Sequence, residues 1–362
     1  LRELNAEITK LGQSFIAGIS SSRGSVRVRK DALRGLPEGY KKSHPADDKG
    51  WVTITTDYPD YYPFVTYSRD RAAARRLYIE FSNRGGDDNV ARLDRILALR
   101  TEKAAMLGYS NWADFAIEPR MAKKAKAAQS FLSRVGDAIA DAAKKEFAEF
   151  LVEASRNKIP THKGLIPPDR YFLTDRLRGR KYKLDSKALA EYFEVEAVTK
   201  GLLEITSRMY GVEYKSVPAA AWHASVRAYE IHAKGKKIGK FYLDLFPRAD
   251  KYKHAAMFTL RGAKGSLKGH TPMAALICNF PSPGEPMPHA QVVTYFHEFG
   301  HVLHQLLSDT QLSRFAGTNT ARDFVEAPSQ MFEEWAWSRQ TLDLFARHPK
   351  TGEQIPDALL KA

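Results

Sequence analysis

The stretch that most constrains this chain is Thr294 to Ser308, TYFHEFGHVLHQLLS. It contains His297-Glu298-Phe299-Gly300-His301, an instance of HExxH. On an α-helix, residues four apart lie one above the other, about 6 Å along the axis at ~1.5 Å per residue. His297 and His301 can therefore offer two imidazoles to one zinc ion. Glu298 projects about 100° round from His297, where it can hydrogen-bond a zinc-held water and take its proton. Short motifs also match by chance, and the histidines of an accidental HExxH would be ordinary helix residues. The flanks bear on that choice. Val292, Val293, Tyr295, Phe296, Phe299, Val302, Leu303, Leu306 and Leu307 make the segment apolar nearly all round, the pattern of a helix in a protein interior. A buried His-Glu-His cluster is costly unless something compensates it, and a metal does so.

A catalytic zinc takes three protein ligands and keeps one position open. The third donor expected here is Glu326, twenty-five positions after His301 in Asp323-Phe324-Val325-Glu326-Ala327-Pro328-Ser329-Gln330. A helix, a loop and a second helix packing alongside bring Glu326 opposite the imidazoles and give a His₂Glu set. Glu333 shares the face of Glu326 and is read as a hydrogen-bond partner or surface charge rather than a ligand. Asp323 is assigned to a helix cap, with orientation of an imidazole as the alternative role. His304 lies about 4.5 Å further along the axis and is read as a buried hydrogen-bonding residue. His254, His270 and His289 are read as structural. Pro328, without an N–H, should kink its helix and set the angle of Glu326.

The 362 residues suffice for a sizeable core and two or more subdomains. No apolar run reaches the ~18 residues of a membrane span. The first residues carry no signal-peptide core and no initiating Met, so a fragment or processed product is expected. Cys278 is the only cysteine, which excludes an intrachain disulfide and fits a reducing, cytoplasmic setting. The formal charge is +14, but the basic runs are short and scattered, with no aromatic ladder for single strands. They are read as solvated faces; no nucleic-acid or membrane partner is expected.

Taken in order, the pattern is mostly helical. Helices are expected over 1–19, 68–83, about 87–107, 110–117, 122–156 (with a break near Gly136), 186–210 and 323–346. Weak strands are expected at 25–29 and 51–56, with Pro59 to Pro63 as an aromatic turn segment. Strand-like runs at 221–232, 238–245, 254–260 and 272–280 stand directly before the motif helix. The fold class expected is mainly α, a multi-helix zincin-like arrangement with one small β-sheet preceding the HExxH helix. The domains expected are 1–160, a mostly helical region, and 161–362, the zinc-binding region.

HEFGHVLHQLL followed by FAGTNTARDFVEAPSQMFEEW resembles the zinc oligopeptidases related to thimet oligopeptidase, neurolysin, oligopeptidase A and peptidyl-dipeptidase Dcp. Upstream, Ala221-Trp222-His223 with Val226-Arg227-Ala228-Tyr229 is similar to that family's WH-x-x-V-R-x-Y segment. Gly239 to Leu245, Pro247-Arg248, Lys251 and His254-Ala255-Ala256 resemble its central strand region. Weaker similarity runs through Asp169-Arg170-Tyr171 and Ala105 to Tyr109. The resemblance implies one Zn²⁺ on His297, His301 and Glu326, with Glu298 as general base. It implies a largely helical fold whose channel admits short peptides, residues 1–160 forming one wall, and strand addition of substrate to the region from His254 to Leu260. The activity implied is hydrolysis of peptide bonds in oligopeptides, internally or by release of C-terminal dipeptides.

Members of that family continue beyond the equivalent of Ala362, with a histidine and tyrosines that stabilise the oxyanion. Here no tyrosine follows Tyr295 and His348 is the only histidine after Trp337. Loss of such donors costs about 10²–10³ in rate. The alternative reading is therefore a non-catalytic zinc- or peptide-binding fragment that needs a complementing chain.

Overall fold

The computed structural model describes residues 1–162, 164–249, 251–265 and 270–360. The chain separates into two compact units, Leu1–Leu177 and Arg178–Ala362.

The first unit starts with α1, Arg2–Ser20, and the antiparallel pair β1, Ser25–Arg29, and β2, Trp51–Thr55, with α2, Glu38–Ser43, between them. Both strands alternate in burial, so Val26, Val28, Val52 and Ile54 face inward. They meet Phe64 and Val65 of α3, Tyr58–Tyr67, and Leu77 of α4, Arg71–Ser82. The PDYYP segment is thus helical rather than a turn: Pro59 lies in the first turn, where a missing N–H is harmless. Asp70, not Ser68, caps α4 by accepting from the Ala73 N–H, while the buried Ser68 hydroxyl donates to Ala32 O. Then come α5, Gly86–Met106, α6, Trp112–Ile117, and α7, Ala125–Arg156, which runs through Gly136 without a break. Asn111 rather than Ser110 caps α6. A helix not expected from the sequence, α8, Pro167–Tyr182, follows; its Asp169 pairs with Arg71 at 3.1 Å.

The second unit has α9, Ser186–Ala190, and α10, Val195–Tyr210, where the sequence suggested one helix. Five strands follow: β3, Val212–Val217; β4, Arg227–Ala233; β5, Lys236–Asp244; β6, Ala256–Arg261; and β7, Met273–Ile277. Their order is β3-β4-β5-β7-β6, antiparallel except for the parallel pair β5–β7. β3 went unrecognised because only Val212 along it is buried. Lys234 and Gly235 close the β4–β5 hairpin with φ of 49° and 73°, the left-handed pair that a two-residue turn needs.

Where β5 and β7 end, Lys251 ties them together. Its Nζ donates to the carbonyls of Asp244, Phe246 and Cys278 at 2.9, 2.6 and 2.5 Å and lies 2.9 Å from Asp244 Oδ1. Buried charge is tolerated here because every donor is spent. One sheet face supplies Phe241, Leu243, Ala274 and Leu276 to a core shared with Val292, Tyr295, Phe296 and Phe299 of α11, His289–Leu306. The expected fold class, mainly helical with a small sheet before the motif helix, is what the structure shows.

The region expected as one helix over 323–346 is three pieces. These are α12, Glu326–Glu333, a 3₁₀ turn at Glu334–Ala336, and α13, Arg339–Phe345; a short α14, Asp357–Leu360, closes the described chain. Pro328 sits in the first turn of α12 and breaks no interior hydrogen bond, so the kink expected from it does not arise. Asp323 lies before Val325, which occupies the N-cap without a side-chain bond.

Candidate metal centre

The motif segment is helical throughout, as its apolar faces require. Val292, Tyr295, Phe296, Phe299, Val302 and Leu306 are sealed beneath the sheet, while His297, Glu298 and His301 are only partly buried. The two imidazoles stand 5.0 Å apart, nearly perpendicular at 84°.

Across from them, α12 presents Glu326 at its first residue. Its Oε2 lies 3.3 Å from His297 Nε2 and 3.0 Å from His301 Nε2. The approach of the two helices depends on Gly300, the fourth residue of the motif, because a side chain there would collide with Ser329 and Phe332 of α12. His297, His301 and Glu326 are the group of three or more His, Cys, Asp or Glu that could hold a metal ion among the described residues, their ligand atoms within 4.8 Å of one another.

This donor set fits zinc. Bonds of ~2.0–2.1 Å in a tetrahedral shell separate adjacent donors by about 3.3 Å, which is close to the spacings here. For His297 a neighbouring carboxylate fixes which nitrogen is offered. His297 Nδ1 lies 2.7 Å from Glu333 Oε1, so it donates there and leaves the Nε2 lone pair facing Glu326. Glu333 therefore serves as a hydrogen-bond partner of a candidate ligand. Burial lowers the proton affinity of His301, partly opposed by Glu326, which is the direction that metal ligation would need. Ser329, fully buried, donates its hydroxyl to Glu326 Oε2 at 3.0 Å.

Glu298 is half-buried beside this group. Burial raises its proton affinity above that of an ordinary carboxylate, partly opposed by the nearby His297 and by the Met257 N–H, which donates to its Oε2 at 3.0 Å. His304 stands apart from the three donors, against Phe324; its ring is half-buried, but Nδ1 has no hydrogen-bond partner among the described residues, unlike the bonded role expected. His289 and His270 bond main-chain carbonyls at 2.8 and 3.1 Å, Ala336 and Gly262 respectively. His254 packs its ring beside Tyr252. Sequence reasoning missed Ser329 and Met257. A serine three residues into a helix reads as an ordinary polar position, and a main-chain donor leaves no trace in residue type.

Residues 64–362 match the model of peptidase family M3. The chain is 33% identical over 386 residues to a thimet-like oligopeptidase of Dictyostelium discoideum, with 100% of this chain and 57% of that protein covered. It is 30% identical to oligopeptidase A of Escherichia coli over 99% of this chain and 56% of the relative. Saccharolysin of Saccharomyces cerevisiae is 28% identical over 100% of this chain and 54% of its own length. The chain belongs to peptidase family M3. It spans about half the length of the curated relatives it matches. No helix of the described residues is long and apolar enough to cross a membrane.

Proposed function

We propose that this chain contributes the metal centre of a zinc metallopeptidase that hydrolyses peptide bonds in short oligopeptides. The observation that carries the reading is the convergence of His297 Nε2, His301 Nε2 and Glu326 Oε2 in a member of peptidase family M3. One zinc ion held by these three residues would supply Lewis acidity, polarising the scissile carbonyl and making water a better nucleophile at neutral pH.

The rest of the chemistry falls to side chains. Glu298 accepts the proton of the attacking water and delivers it to the leaving amine. Its partial burial suits that double duty, because burial raises the proton affinity of the carboxylate and so favours its holding the proton it has taken. Glu333 holds His297 in register, and Ser329 restrains the oxygen by which Glu326 would bind. β6 is the last strand of the sheet, and its outer edge is the surface on which an extended peptide would pair. We assign the protein to the cytoplasm on its single, buried cysteine.

A second reading, a zinc- or peptide-binding portion that turns over only with a complementing chain, has one observation in its favour. Phe315, Phe324, Met331 and Trp337, in and around α12, are each more than half exposed. Nothing in the comparisons speaks for such a chain. Incubating the purified protein with an internally quenched peptide, with and without a chelator, decides between the two. Chelator-sensitive turnover that disappears in Glu298→Gln, with zinc still bound, supports the peptidase. Turnover indifferent to chelator, or retained in Glu298→Gln, overturns it.

A further inference from the structure

Glu298 is joined to the sheet as well as to its own helix. β6 is an edge strand, and alternate N–H groups of such a strand point away from its neighbour. One of them, the N–H of Met257, donates to Glu298 Oε2 across 41 positions of sequence. Met257 is held in turn by its pairing with Leu276 of β7.

A second bond set locks the same strand to the same helix. Gln305, fully buried, lies seven residues after Glu298, two turns along α11 and on nearly the same face. Its Oε1 accepts from the Thr259 hydroxyl at 3.1 Å, and its Nε2 donates to Arg261 O at 3.1 Å. β6 is therefore fastened to α11 at two points, one through Glu298 and one through Gln305. The Met257 N–H cannot drift relative to the carboxylate it binds.

We propose that the Met257 main-chain N–H is a positioning group for Glu298, anchoring Oε2 so that the other carboxylate oxygen is the one presented to water. A glutamate side chain has three rotatable bonds, and a charge-assisted hydrogen bond to a fixed donor removes much of that freedom before substrate arrives. The proposal rests on Glu298 being the general base, as argued above.

Two measurements test it. The first is hydrogen exchange on the full chain carrying ¹⁵N-methionine. The Met257 amide is expected to exchange about tenfold faster in Glu298→Ala than in the unaltered protein, with Met273 of β7 unchanged as the control for folding. Equal exchange of Met257 in both proteins overturns the contact. The second replaces Met257 by its α-hydroxy analogue, which swaps the N–H for an ester oxygen and keeps the side chain. An about tenfold fall in kcat at constant KM and constant zinc affinity is expected. If Glu298→Gln abolishes turnover while the ester leaves kcat intact, the positioning role is wrong and the peptidase reading stands. If Glu298→Gln retains turnover, the peptidase reading fails and this inference with it.

Discussion

Gly300 and Ser329 mark the point where the two donor-bearing helices touch: a Cβ on Gly300 would lie 2.8 Å from Ser329 Cα. No rotamer change relieves that collision, because the obstacle is backbone. Gly300→Ala should therefore push α12 away and carry Glu326 from the imidazoles. Alanine is favoured over glycine within a helix by about 1 kcal/mol, so a purely local effect would stabilise the protein. We expect the opposite: a loss of about 1–3 kcal/mol in stability and at least a tenfold loss of zinc affinity, measured by thermal unfolding and competition with a chromophoric chelator.

Glu333 would act on a bound metal through His297, whose Nδ1 lies 2.7 Å from its Oε1. Removing its charge while keeping its shape, in Glu333→Gln, should weaken zinc binding by about 10–100-fold without changing the stoichiometry of one ion. Titration by isothermal calorimetry checks both quantities. Unchanged zinc affinity in Glu333→Gln would contradict that role.

Asp244 predicts how the second unit responds to acid. Burial alone would raise its pKa, but hydrogen bonds from Arg248, Trp222 and Lys251 outweigh burial and hold it down at about 2. In the unfolded chain the value returns to about 3.9. A carboxylate depressed on folding contributes its stability above the unfolded value and loses it as pH falls through the folded one. Stability should therefore drop between about pH 4 and pH 2 by on the order of 2 kcal/mol from this group. In Asp244→Asn that part of the decline should vanish from denaturant titrations, on a lower baseline.

His44 predicts the reverse dependence in the first unit. Burial opposes its protonation, but Asp60 at 3.1 Å and the Tyr40 carbonyl at 2.8 Å hold both ring nitrogens as donors and raise its pKa. A histidine whose pKa is raised on folding stabilises fully below its unfolded value, near ~6.5, and loses that contribution as pH climbs through the folded value. Unfolding of residues 1–177, followed by fluorescence of Trp51, should become easier as pH rises from about 6 through the raised value, and the slope should flatten in His44→Gln.

What the sequence made legible was the part written in side-chain chemistry. The apolar wrapping of His297-Glu298-Phe299-Gly300-His301 announced a buried helix, and the spacing to Glu326 announced an opposing carboxylate. Elements signalled by caps were harder: Asp70 and Asn111 do the capping that Ser68 and Ser110, two and one residues earlier, could equally have done. Proline misled in two places. Pro59 and Pro328 suggested a turn and a kink, yet both fall in first turns, where a missing donor has no consequence. The main-chain contacts escaped entirely, because the Met257 N–H and the carbonyls gathered by Lys251 are the same in every residue type.

The proposed chemistry needs one ion at the meeting of α11 and α12. Anomalous scattering at the zinc edge, from crystals grown at saturating zinc, tests it directly. We predict a single peak within about 2.0–2.2 Å of His297 Nε2, His301 Nε2 and a Glu326 carboxylate oxygen. No peak between these residues, or a peak with Glu326 turned away from both imidazoles, would contradict it.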